Sequence, residues 1–498
     1  MTPGSFASNL HALAYKYFSC IATNRLIDYD IALSYNLKSK RLGGAMRIAI
    51  VGGGISGLSL AYALLEKGQG SDIKVFESES RPGGKIYTEK VDGYVCEAGV
   101  NGFLDNKPST LELAAKINLS PMKSSDNARK RFIYTGGELR EIPDSAVKFF
   151  MSNFLSLPGR LRMIGEYFVP KAMKDDETLE SFAVRRVGRE FYEKLLDPMA
   201  SGVYAGDPSK MSIRSCFAKV YDLEQKYGGL IKGFMAAGKE AKKSGKKVEA
   251  GPGGTLTSFR EGMYSFVEAL RSLLGDRVQT GKAAKGIEKT SGGYMLHFKD
   301  GSTCEADCVV LASPAHNSAE IVRDFDKTIC DILTTIPYPA LSVVSFGFKR
   351  AKISRDINLF GYLIPGNEKR KILGTLFDSS IFENRAPEGY VLLRNMVGGA
   401  RAQDLALLDD EKLISTVRTE LADIMGLRAE PDFVRVFRWE KAIPQYLLGH
   451  HRKLEALDEA SAKHKGFYLA GNAYRGVAVN DCIANSIKLA DGIARLRL

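Results

Sequence analysis

"RLGGAMRIAIVGGGISGLSL", residues 41–60, reads as a strand running into a helix. Met46–Val51 is an apolar run with β-branched residues, the pattern of a parallel strand buried on both faces. Gly52, Gly54 and Gly57 then spell G-x-G-x-x-G, and Leu58–Leu65 continues at helical spacing. The first glycine permits a tight turn. The second lets a pyrophosphate approach the backbone, and the third lets helix and strand pack closely. Gly53, Ile55 and Ser56 complete the turn at the helix N-terminus. A second strand, "DIKVFES", then delivers Glu77 and Ser78. An acidic residue some twenty positions after the last glycine is placed to bind a ribose hydroxyl. The expectation is an α/β fold holding a dinucleotide.

"SRPGGKIYT" (80–88) follows, and its Arg81, Gly84 and Lys85 set a second glycine turn and two cations beside the first. A nicotinamide dehydrogenase has no need of that second turn. "EAGVNGF" (97–103) comes next, with Ala98, Gly99, Val100 and Asn101. The series resembles the FAD-dependent amine oxidase and protoporphyrinogen oxidase superfamily, in which all three stretches wrap the flavin. The resemblance implies FAD as cofactor.

The far end carries "GFYLAGNAYRGVAVNDCIANSIKLADGIARL": a strand at Phe467–Leu469, then an amphipathic helix from Cys482. The loop Gly476–Val479 would bring backbone amides and a helix start to a polar group. The resemblance sets Val477, Ala478 and Val479 against the flavin ring, and gives Trp439, the only tryptophan, a flavin contact. It also gives Val278 the adenine side. No second G-x-G-x-x-G occurs to hold NAD(P)H. Electrons therefore enter from the substrate and leave to oxygen or a quinone.

Four further stretches are similar to the protoporphyrinogen oxidase family: "RKRFIYTGGELREIP" (129–143), "MASGVYAGDPSKMSIRSCF" (199–217), "FGYLIPGNEKRKILGTLFDSSIFENRAPEG" (360–389) and "GVAVNDCIANS" (476–486). This resemblance implies FAD-dependent oxidation of protoporphyrinogen IX to protoporphyrin IX in haem synthesis. By position, Arg131 would hold a propionate, Leu363, Leu376 and Met396 would sandwich the macrocycle, and Gly202 and Val203 would line the pocket. Met396 departs from the phenylalanine of plant members but still offers an adaptable apolar contact. Hydride passes to flavin N5 and the ring tautomerises, so no protein acid or base is required and no catalytic side chain is assigned. Three alternatives stay open: a coproporphyrinogen III oxidase of the same fold, another flavin oxidase such as an amine oxidase or carotenoid desaturase, and a non-catalytic flavin-binding scaffold.

At 498 residues the chain has room for two or three domains. Its net charge of +12 suits an anionic substrate or an anionic membrane surface. The basic residues are scattered and no nucleic-acid motif is present, so a nucleic-acid partner is not expected. No metal site is expected either, because the seven cysteines include no C-x-x-C and the paired His450 and His451 read as solvent-facing. The cysteines read as reduced thiols of a reducing compartment, so a cytoplasmic location is expected, with contact at the cytoplasmic membrane face; no apolar run is long enough to suggest a transmembrane helix. Homodimerisation stays open.

The expected layout is a discontinuous FAD-binding, Rossmann-like domain (46–125, 256–330 and 436–498) with a mixed-sheet substrate-binding domain (126–140 and 331–435). A helical, membrane-facing subdomain occupies 141–255, with a mobile lysine- and glycine-rich loop at 238–254. Residues 1–45 fit neither a transit nor a signal peptide and are expected to be a mis-called extension, with Met46 the natural start.

Overall fold

A computed structural model describes residues 46–68, 72–143, 146–243 and 254–495. The extension 1–45 and most of the expected loop 238–254 lie outside them, although residues 238–243 continue the helix Leu230–Lys243.

Five strands form a parallel sheet in the order Val278–Gln279, Asp72–Phe76, Arg47–Val51, Cys308–Leu311, Phe467–Leu469. Four of its residues, Ile48–Val51, are buried, as a central parallel strand requires. The helix Ile55–Glu66 is buried from Ile55 to Ala63 and on to Leu64. The sheet covers one side of it, and the C-terminal helix Val479–Arg495 is the other large surface against it. Ser486 Oγ donates to the Ser56 carbonyl at 2.8 Å, joining the two. That last helix starts at Val479, three residues before the expected Cys482, because the Ala478 carbonyl already accepts from Asp481 and Cys482.

A second sheet has seven strands, in the order Phe433–Trp439, Leu341–Lys349, Tyr390–Gly398, Gly374–Leu376, Gly361–Leu363, Arg131–Thr135, Glu138–Glu141. Its edge strand Phe433–Trp439 straddles the domain boundary expected at 436. One face of this sheet packs Tyr362, Val344 and Phe346 against Leu413, Val417 and Leu421 of the helix Asp410–Met425. The opposite face is therefore the one available to a ligand.

Short helices between 146 and 243 form a third layer with its own core, including Phe182, Phe191, Leu195 and Phe217. At its centre Arg186 is fully buried and paired with Glu166 at 3.0 Å and Glu224 at 2.5 Å. The expectation for His450 needs correction. Its imidazole is buried, stacked on Tyr446 at 4.2 Å and 11°, because Gly449 turns the helix His450–Ala462 inward against that ring. Its neighbour His451 is also largely covered and bonds Asp175 at 2.9 Å.

Candidate functional site: a flavin cradle facing a glycine-floored sheet

The glycines of the first turn divide the work. Gly52 has φ +115, and a Cβ there would stand 2.8 Å from the Ala312 carbonyl group. A Cβ on Gly57 would stand 2.0 Å from the Gly52 oxygen. Both positions are closed by protein. Gly54 differs: its φ of −72° suits any residue, yet nothing lies within 4 Å of where its Cβ would be. It is the N-cap of the helix Ile55–Glu66, so the open space receives the positive end of the helix dipole. The second glycine turn closes beneath it. The Gly83 amide donates to the Gly53 carbonyl at 2.8 Å, and Gly84 lies opposite Gly54.

Glu77 is buried at the next strand end. Its Oε2 accepts the Gly53 amide at 2.8 Å and its Oε1 the Glu79 amide at 2.9 Å, with Ser78 Oγ at 3.1 Å. The carboxylate is thus fixed in direction while keeping acceptor capacity for a ribose hydroxyl. Val278 sits on the strand at the sheet edge, next to Val75. The Arg81 guanidinium is held over the rings of Tyr87, at 4.2 Å, and Tyr264, at 5.9 Å.

Beyond the phosphate cradle, four segments converge. Trp439 Nε1 donates to the Ala98 carbonyl at 2.8 Å, and Arg394 Nη1 donates to the Gly99 carbonyl at 2.9 Å. Lys85 lies over the Trp439 ring at 4.2 Å, and burial, with Arg81 nearby, pulls its ammonium down to about 8. Asn101 donates to Asp378 at 3.3 Å while its own Oδ1 is buried without a partner. From the C-terminal side, the Gly476 amide donates to the Tyr446 hydroxyl at 2.9 Å, which in turn donates to the Asn472 carbonyl at 2.6 Å. These bonds hold the turn leading to exposed Ala478 and half-buried Val477, just before the helix start at Val479. An open glycine cradle, a buried carboxylate fixed in direction, a half-buried ammonium and an orphaned amide oxygen all fit a bound FAD.

The other half of the site is the opposite face of the seven-stranded sheet, where Ile133, Val343 and Arg394 are buried and Leu363, Leu376 and Met396 half-buried. Strand register puts Ile133, Leu363, Gly374, Met396 and Val343 in one row. The neighbouring row is Arg131, Gly361, Leu376 and Arg394. Side chains two apart on a strand share a face, so all of these project the same way. Leu363, Leu376 and Met396 therefore build one wall rather than two opposed surfaces. Glycines stand directly opposite both leucines, and the leucine methyls lie over them: a Cβ on Gly374 would be 3.1 Å from Leu363 Cδ2, and one on Gly361 3.0 Å from Leu376 Cδ2. Arg131 ends this wall, exposed, with its guanidinium 4.8 Å from the Phe360 ring. The facing surface is the helix Asp197–Tyr204. A Cβ on its Gly202 would stand 2.9 Å from Leu363 Cδ2, and Val203 is 52 % exposed.

Four buried charges have no role in the sequence reading, although Glu97, Asp378 and Arg385 lie within the stretches quoted above. Glu97 and Arg385 are 3.9 Å apart, and Arg394 and Asp378 3.2 Å. Burial pushes the Glu97 carboxyl up to about 7 despite the Arg385 charge, and likewise raises Asp378. The arginine inside the apolar strand "YVLLRNMVG" was the available signal: a charge there must be paired. Among the described residues no cluster of three or more His, Cys, Asp or Glu could hold a metal ion, and no helix is long and apolar enough to cross a membrane.

The parallel sheet, double glycine turn and returning C-terminal helix define an FAD-binding oxidoreductase. More narrowly, the chain belongs to the flavin-containing amine oxidoreductase family, whose model matches residues 55–494. It is 33 % identical over 471 residues to the chloroplastic protoporphyrinogen oxidase of Oryza sativa subsp. japonica, covering 89 % of this chain and 87 % of that protein. It is 30 % identical over 455 residues to the coproporphyrinogen III oxidase of Bacillus subtilis, covering 88 % and 96 % respectively. A solved structure from Exiguobacterium sp. 255-15, provisionally named a protoporphyrinogen oxidase, superposes with a TM-score of 0.76 at 25 % identity, covering 90 % of this chain and 99 % of that one. UDP-galactopyranose mutase shares the fold, with a TM-score of 0.70 at 16 % identity over 91 % and 94 % of the two chains.

Proposed function

We propose that this FAD-dependent oxidoreductase converts protoporphyrinogen IX to protoporphyrin IX, with oxygen or a quinone as final acceptor. The observation that carries the reading is the sheet face itself: two leucines and Met396 over a glycine floor, ended by Arg131 and faced by Gly202 and Val203. A porphyrinogen is a broad apolar disc with carboxylates on its rim. It requires an extended apolar wall and a cation at the edge, and that is the chemistry presented here.

Bound FAD supplies a two-electron acceptor at N5. The protein binds and orients. Leu363, Leu376 and Met396 exclude water from the disc face, Gly202 lets its helix seat against Leu363 at one end of the cleft, and Arg131 takes a propionate in a paired contact. Arg394 and Trp439 fix the Ala98–Gly99 carbonyls, and so the segment that borders the flavin. The ring's own tautomerism moves the remaining protons.

Coproporphyrinogen III is the second reading, favoured by the 96 % coverage of the Bacillus subtilis relative. Anaerobic mixing with each porphyrinogen separately tests both. Flavin bleaching by protoporphyrinogen IX at the higher kcat/KM is expected; faster bleaching by coproporphyrinogen III would transfer the assignment, and no bleaching by either would overturn it.

The outer face of the helical layer supports contact with an anionic membrane surface. Met151, Leu157, Leu161, Phe168 and Met173 are exposed there, with Lys171 and Lys174 exposed beside them. Exposed apolar side chains with lysines near them in the sequence suit insertion at a headgroup boundary.

A further inference from the structure

The helix Asp197–Tyr204 forms the second wall of the cleft, and its spacing from the sheet is set tightly. Gly202 lies inside that helix, where glycine costs about 1 kcal/mol relative to alanine. Its missing Cβ is the space into which the Leu363 methyls fit. A wall built that closely needs an anchor outside the apolar contact.

One guanidinium occupies the anchoring position. Arg401 bonds Asp197, the first residue of the helix, through Nη2 at 2.5 Å, and Asp207, just beyond its end, through Nε at 3.2 Å. The chain can bring both carboxylates to one side chain because Ala205 takes the left-handed conformation, φ +48, and reverses its course. Asp197 also accepts the Gly366 amide at 2.7 Å. Gly366 follows closely on the strand that carries Leu363, and Arg401 follows the strand that carries Met396. The Ala400 amide adds a bond of 2.7 Å to the Ala205 carbonyl. Two strands of one wall and both ends of the other thus meet at a single ion-pair cluster, with Asp197 nearly buried and Arg401 about one-third exposed. A guanidinium offers a planar fork of donors that fixes direction as well as distance, which an ammonium cannot do.

We propose that Arg401 is a positioning residue that sets the width of the macrocycle cleft. It rests on the cleft assignment above and adds to it a determinant remote from the bound ring. Arg401 bonds Asp197 and Asp207, neither of them assigned above to the disc or the flavin; it acts through the helix that bears Gly202 and Val203.

The test is Arg401→Gln in the FAD-loaded protein, with Arg401→Lys and Asp207→Asn beside it. Arg401→Gln should raise KM for the porphyrinogen about tenfold and weaken fluorescence-monitored binding of the porphyrin product by a similar factor. Flavin content and kcat should stay within about twofold of wild type. Arg401→Lys should recover only part of the affinity, and Asp207→Asn, which leaves the Asp197 arm intact, should lie between. If Arg401→Gln does not fold, Asp207→Asn carries the test alone, with a KM rise of a few-fold expected. Unchanged KM and porphyrin affinity would overturn the proposal. So would parallel loss of flavin and melting temperature with an unaltered KM in the loaded fraction, which would make Arg401 a stabilising residue only. A wild-type protein that oxidises no porphyrinogen would overturn the cleft assignment instead, which separates the two failures.

Discussion

Trp439 and Ala98 are joined by a 2.8 Å hydrogen bond from the indole nitrogen to the carbonyl oxygen, across 341 residues of sequence. The bond pins the edge strand of the seven-stranded sheet to the segment proposed to border the cofactor. Because Trp439 is the only tryptophan, the whole indole emission of the protein comes from this point. Adding FAD to the apoprotein should quench it in proportion to flavin bound. Emission unchanged at full flavin loading would put the flavin elsewhere. Trp439→Phe should retain FAD but destabilise the fold by about 1 kcal/mol, the usual net worth of a hydrogen bond.

Substituting glycines of the first turn should give two distinct phenotypes. Gly54→Val leaves the protein room to fold, since nothing lies within 4 Å of its Cβ position and its φ is ordinary, but the side chain fills the proposed phosphate cradle. A folded, colourless protein is expected. Gly52→Ala meets backbone at 2.8 Å and an unfavourable φ, so it should lose both flavin and melting temperature. A yellow Gly54→Val protein would remove the first turn from the phosphate site.

Arg131 ends the apolar wall, and a charged, paired hydrogen bond to a propionate contributes roughly 1.5–3 kcal/mol. Arg131→Ala should therefore raise KM about ten- to a hundredfold. Turnover should fall less, through loosened orientation, and FAD content should hold. Arg131→Lys should restore part of the loss. Loss of flavin at constant KM would move Arg131 to the cofactor side.

Acid should act through His450. Burial holds its pKa down to about 4, assisted by Lys453, Arg475 and His451, although the Tyr474 carbonyl opposes the shift. The unfolded chain takes up the proton near the ordinary value of about 6.5. The unfolded state therefore binds more protons between those limits, and stability falls as pH drops from about 6.5 to about 4. His450→Phe keeps the stack on Tyr446 and removes the titration. Its melting temperature should decline less between pH 7 and 5 than that of wild type. Equal declines would mean that other groups govern the acid limb.

Phe168 is 81 % exposed on the outer helical face. If that face meets a membrane, Phe168→Glu should reduce co-sedimentation with vesicles containing anionic lipid several-fold, without changing oxidation of porphyrinogen in detergent. Identical sedimentation of the two proteins would dismiss the surface.

What was legible in the sequence was local. The turn Gly52–Gly57, the strand ending at Glu77 and the pair Gly83–Gly84 announce themselves because each role is set by neighbours a few residues away. The wall of the cleft depends instead on register between strands that begin at 131, 341, 361, 374 and 390. Resemblance could name Leu363, Leu376 and Met396, but only pairing shows that they share a face and that Gly361 and Gly374 are the floor between them. The same holds for charge. Arg394, inside an apolar strand, signals that it must be paired, but Asp378 looks like an ordinary polar residue until the fold sets it beside that arginine. His450 was misread for a related reason, since a histidine pair starting a charged helix shows nothing of the tyrosine it will stack upon.

The helix Val479–Arg495 against the helix Ile55–Glu66 has a consequence for biogenesis. The nucleotide turn is synthesised about 400 residues before the surface that backs its helix and the loop proposed to meet the flavin ring. Until residues 476–495 have emerged, the growing chain has half a cradle. Stable flavin capture then waits on that segment rather than on the glycine turn itself. The nascent protein waits with the apolar side of its first helix uncovered, and that interval is when a chaperone has most to protect.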